Sequence, residues 1–185
     1  MNDNENPWSK ATLLDQLEHH HLAFKAEIKN LNTDHYTYSW ENKWTPGQQL
    51  RHIHLSVKPL VLALSLPRFV IQWKFGLANR SSRSYKGLVE KYQNALAGMP
   101  AAAPKSFHPV PEEYDLREHL FSDYDKALKK LLKQVRNMRD KDLERYVLPH
   151  PLIGKLTLRE MLYFTIYHVQ HHQKIVQEII RHAKA

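Results

Sequence analysis

An all-α protein built as a four-helix bundle is the fold this sequence predicts, and three observations predict it. Four segments of about 20 residues carry apolar side chains every three to four positions, as amphipathic helices around one core require. Two of them open on a capping box, a Thr followed three residues later by Gln or Glu. Only 5 glycines occur in 185 residues, few for the tight turns of a barrel or sandwich. The length fits one domain over 1–185, with a partly helical insertion at about 67–111. No repeat with a solenoid period is visible.

The first helix is expected from about Ser9 to Leu31, with Leu13, Leu14, Leu17, Leu22, Phe24 and Ile28 at helical spacing. Turn formers close it, and residues 35–40 (HYTYSW) read as an extended linker. Thr45-Pro46-Gly47-Gln48 then starts the second helix. Thr45 is the N-cap, and Pro46 sits at the first helical position, where its missing N–H costs nothing. This helix should reach about Leu66, with a kink or local break at Pro59.

Residues 67–111 are less regular. A short helix fits Ser84 to Leu96, and the proline-rich stretch 98–111 should be loop. That connection is long for a helical bundle, so it could cover a site. The third helix is expected from about Glu112 to Met138. The fourth begins at Thr157-Leu158-Arg159-Glu160 and runs to about His182, with a short hairpin between the two.

Composition removes several function classes. Cysteine is absent, so there is no disulfide, thiolate metal site or cysteine nucleophile. The glycine-rich nucleotide-binding fingerprints and the GxSxG nucleophile elbow are missing. The segment from Met1 to Lys10 lacks the pattern of a signal peptide. The longest apolar stretch, Val57 to Val70, is interrupted by charges and prolines and is too short to span a bilayer. We therefore expect a cytoplasmic protein with no membrane partner. The net charge is +8, but basic residues such as Lys25, Lys29 and Lys126 to Arg139 are spread along the chain. A solvated helix face explains them more simply than a nucleic-acid surface, so nucleic acid is not an expected partner.

The chemistry points to histidine, of which there are 13. His168 and His172 stand four apart on the fourth helix and so share a face, close enough to reach one metal ion. Met161, Thr165, Ile175, Val176 and Ile179 continue that face, which turns it towards the bundle interior. No glutamate follows His168, so the protease form of this motif lacks its base. A third ligand is available on the second helix in His52 or His54, and apolar periodicity does not choose between them. His19, His20 and His21 point in three directions and read mainly as surface. Trp40, Trp44 and Trp73 read as core or hinge anchors, and Tyr167 and Gln173 as packing.

The run Trp44-Thr45-Pro46-Gly47-Gln48-Gln49-Leu50-Arg51-His52-Ile53 resembles the second-helix motif of the DinB/YfiT-like metalloenzymes. The stretch Tyr163 to Gln173, with its H-x-x-H-H core, resembles their last-helix motif. The resemblance covers roughly residues 10–66 and 112–182. It implies an up-down-down-up bundle, a homodimer, and a divalent-metal site formed by His52, His168 and His172, with nickel or zinc as the usual ions. Three neutral imidazoles leave such an ion its charge and an open position, the pattern of a catalytic site. Each ligand needs an acceptor on its other ring nitrogen, and the sequence does not name them. Characterised relatives are thiol-dependent, which implies an external low-molecular-weight thiol acting on a small-molecule substrate. The reading is a metal-dependent transferase or hydrolase. The alternative is a non-catalytic stress-response or binding protein with a vestigial metal site.

Overall fold

The computed structural model describes residues 7–98 and 105–183. Helix α1 (Lys10–Lys29) starts at Ser9, whose side chain accepts the Thr12 amide hydrogen. Its core stripe is Leu13, Leu17, His21, Phe24 and Ile28. Leu22 lies outside that stripe and is exposed, while His21 is fully buried, which corrects the surface reading for that histidine. A short helix, α2 (Thr33–Thr37), replaces the first part of the expected linker, because Asn32 caps it by accepting the His35 amide hydrogen.

Helix α3 (Pro46–Ser65) carries the complete capping box of Thr45 and Gln48. It runs through Pro59 without a break. Burial of Val57, Leu60, Val61 and Leu64 holds the turn that lacks one amide donor. Helix α4 (Arg68–Phe75) follows, then α5 (Tyr85–Ala97), close to the expected short helix and capped by Ser84. Helix α6 (Arg117–Arg136) begins after a 3-10 turn at Tyr114–Leu116, later than the expected Glu112. Helix α7 (Asp140–Arg145) leads into the hairpin of β1 (Val147–His150) and β2 (Gly154–Thr157), paired antiparallel with Val147 opposite Thr157. Helix α8 (Leu158–Ala183) opens on a reciprocal pair of bonds between Thr157 and Glu160.

Cross-helix bonds give the topology. Trp8, just ahead of α1, bonds Tyr163, and Glu27 accepts from Gln173, so α1 and α8 are parallel. Lys10 reaches Met138 and Lys25 reaches Asp125, so α6 is antiparallel to α1. Gln49 meets His172 and Ser56 meets His168, so α3 runs against α8. The bundle is therefore up-down-down-up. The parallel neighbours α3 and α6 need a connection that returns the full length of the bundle, about 30 Å for 20 residues. That requirement accounts for the long stretch after α3. Its middle, 99–104, lies outside the described residues, as does Met1 to Asn6 of the segment read for a signal peptide.

The crossover is tied down at buried Glu160, which accepts two bonds from Arg80 at 2.7 and 2.8 Å and others from Arg83. No single helix among the described residues is long and apolar enough to cross a membrane.

Candidate metal centre

Three elements bring three imidazoles to one point in the bundle interior. Helix α3 supplies His52, and α8 supplies His168 and His172 from successive turns; all three are buried. His168 Nε2 lies 3.2 Å from His52 Nε2 and 3.0 Å from His172 Nε2. Bonds of about 2.0–2.1 Å to one ion would separate neighbouring nitrogens by about 2.9 Å at right angles and about 3.3 Å at tetrahedral angles. The spacing observed falls in that range.

The other ring nitrogens are all engaged. His52 Nδ1 donates to the Phe107 carbonyl at 2.7 Å. His172 Nδ1 donates to Gln49 Oε1, and the Gln49 amide is oriented by its own donation to the Trp44 carbonyl at 3.1 Å. His168 Nδ1 faces Ser56 Oγ at 3.4 Å, and that hydroxyl spends its hydrogen on the Ile53 carbonyl. With each Nδ1 carrying the hydrogen, each Nε2 presents a lone pair. Burial pushes His168 and His172 well below the usual imidazole range, and repulsion among the rings adds to it. Burial also lowers His52, against the opposing effect of its bond to Phe107. Three neutral rings with converging lone pairs form a donor set for a divalent cation.

His54 faces elsewhere. It is buried beside Lys58 and Arg51, and its Nδ1 has no hydrogen-bond partner among the described residues. Geometry thus selects His52 where periodicity could not. His171 is half-buried on the neighbouring face, as its position implied. Tyr167 accepts from Gln93, and Gln173 donates to Glu27, so both serve packing between helices.

Sequence reasoning missed the groups that orient the ligands. Gln49, His52 and Ser56 stand on one stripe of α3, at offsets of three and four, so one helix face provides a candidate ligand and the acceptors for both candidate ligands on α8. That spacing was a usable signal for Gln49 and Ser56. The Phe107 carbonyl had none, being a backbone atom 55 residues away. Trp44 packs 4.8 Å from the His52 ring, and Phe164 stacks 4.8 Å from His168, so both wall the centre. Trp73 departs from its expected anchoring role, with 85 % of its surface exposed.

Comparison with known proteins places the chain. The DinB superfamily model matches residues 30–176. The chain belongs to the DinB superfamily. Among solved structures it is similar to TT2238, described as a four-helix bundle protein, at 18 % identity and a TM-score of 0.57; the match covers 92 % of this chain and 99 % of that one. That likeness concerns the fold. No curated protein matches the chain. As a DinB-superfamily member it carries the three histidines of both resembling motifs in one cluster, which is where the family expectation put them.

Proposed function

We propose that this chain is a metal-dependent enzyme that holds nickel or zinc on His52, His168 and His172. We propose further that it acts on a small electrophilic substrate, as a thiol-dependent S-transferase or as a hydrolase. One observation carries the reading: three Nε2 lone pairs converge while every Nδ1 is engaged elsewhere. A divalent ion held there would supply Lewis-acid activation of water or of an added thiol.

The protein's own groups prepare the site. Phe107, Gln49 and Ser56 fix the ring orientations and make the ligand nitrogens more basic by accepting from the opposite side. Trp44 and Phe164 exclude bulk water from two sides, which strengthens electrostatic interactions inside. A chain without cysteine takes any thiol from outside, in keeping with a thiol co-substrate.

The test uses tag-free protein loaded with nickel or zinc. It is assayed with a small thiol and a chlorinated aromatic acceptor, and separately with an ester. Thiol-dependent turnover lost in His168→Ala supports the transferase. Ester cleavage without thiol, also lost in His168→Ala, supports the hydrolase. A metal-loaded protein inactive in both would favour the non-catalytic alternative.

A further inference from the structure

Among the described residues, the three most exposed large apolar side chains lie on α3 and α4, a helix pair bent by 113°. Leu62, Phe69 and Trp73 are 68, 73 and 85 % exposed, with half-buried Leu66 and Val70 between them. Phe69 and Trp73 are four apart, so they project from one side of α4, opposite buried Ile71. Among the described residues neither ring stacks on another aromatic group.

Charge says what would cover this face. The chain has 27 basic and 19 acidic residues, yet residues 42–89 hold eight basic residues and no Asp or Glu. The rest of the chain is balanced, so the formal excess of +8 falls in 42–89, from just ahead of α3 to the first turns of α5. Arg68 is drawn to Asp142, and Arg80 and Arg83 to Glu160. Lys58, Lys74 and Lys155 have no carboxylate within ion-pair distance among the described residues, and all three are exposed. Lys74 directly follows Trp73, and Lys155 donates to the Phe75 carbonyl at the end of α4.

We propose that this corner is a docking surface for an anionic lipid bilayer. Trp73, Phe69 and Leu62 would seat at the boundary between headgroups and acyl chains, where aromatic side chains favour the interface. Lys58, Lys74 and Lys155 would meet the acidic headgroups. A second copy of this chain fits less well, because two-fold pairing would bring the exposed Lys58 and Lys74 of both copies to one interface. Phosphate alone satisfies the lysines and leaves the apolar side chains in water, so nucleic acid also fits less well. The sharp bend rules out a straight span, and the contact concerns one leaflet. Such a surface contact needs no spanning segment, so it departs from the expectation of no membrane partner without requiring a transmembrane helix.

Sedimentation with vesicles tests this. One set is pure phosphatidylcholine, and the other contains one-third phosphatidylserine. Three lysines at about fivefold each favour the anionic set by roughly a hundredfold at low salt. The preference should shrink as salt rises. Phe69→Ser/Trp73→Ser and Lys58→Glu/Lys74→Glu, all at exposed positions, should each cut binding to near the neutral-vesicle level. Tryptophan emission should shift to the blue on anionic vesicles in the wild type and not in Trp73→Phe. Equal binding to both vesicle types would overturn the proposal, as would undiminished binding of the Phe69/Trp73 variant. Two further results count against it: a wild-type dimer that this variant dissolves, and preference for duplex DNA over anionic vesicles in competition.

Discussion

Gln49 on α3 accepts the Nδ1 hydrogen of His172 on α8 from a position three residues ahead of His52. One helix therefore both contributes a candidate ligand and fixes the tautomer of another. The bond also makes the two helices' register part of the site.

Gln49→Leu should keep the helical content and lower metal affinity by about 10–100-fold, the usual cost of removing a group that orients a ligand. Competition with a chromogenic chelator measures it. Unchanged affinity would mean that Gln49 only packs.

His54→Leu separates the two histidines that the sequence left open. His54 makes no hydrogen bond through Nδ1 and lies outside the triad. The variant should bind metal as the wild type does, whereas His52→Ala should not. Titration calorimetry of both proteins decides it; the opposite pattern would move the site.

Most of the frame was legible from the chain because its signals are local. The Thr45 and Thr157 boxes and the apolar stripes of α1, α6 and α8 involve residues within one turn of each other. What escaped depends on tertiary context. Pro59 stays helical because packing holds it, Trp73 stays exposed although its type favours burial, and His21 enters the core beside Tyr124, 2.7 Å from its hydroxyl. At the candidate metal centre the three clustered histidines could be reached through their spacing and family resemblance. The Phe107 carbonyl could not, since any residue type supplies one.

Gly47→Ala should destabilise the protein by about 1–3 kcal/mol, the range for overpacking a filled core. A Cβ there would clash with the ring of Tyr36, which is fully buried. The same ring holds α2 against the start of α3, the helix that presents His52. Urea unfolding checks it, and a stability equal to wild type would show that the ring can move aside.

Acid should weaken the metal-free fold in a defined window. Burial is the main cause that holds His21, His54 and His150 at about 4, against 6.5 for an ordinary histidine. Between those values the unfolded chain binds more protons than the folded one. Stability is therefore fully present above about pH 6.5 and falls towards pH 4, by up to about 1.4 kcal/mol per pH unit for each histidine. Urea unfolding with chelator present at several pH values measures the slope, which should be shallower in His54→Leu. A flat profile over that window would contradict the burial of these rings.

Elemental analysis of tag-free protein, set against His168→Ala purified in the same way, tests the central claim most directly. His168 is the ring whose Nε2 stands within 3.2 Å of both other ligand nitrogens, so its loss should dismantle the site. The account predicts close to one nickel or zinc ion per wild-type chain and essentially none in the folded variant. A folded wild type that takes up no divalent ion even when it is supplied in excess, or a variant that keeps its metal, would contradict it.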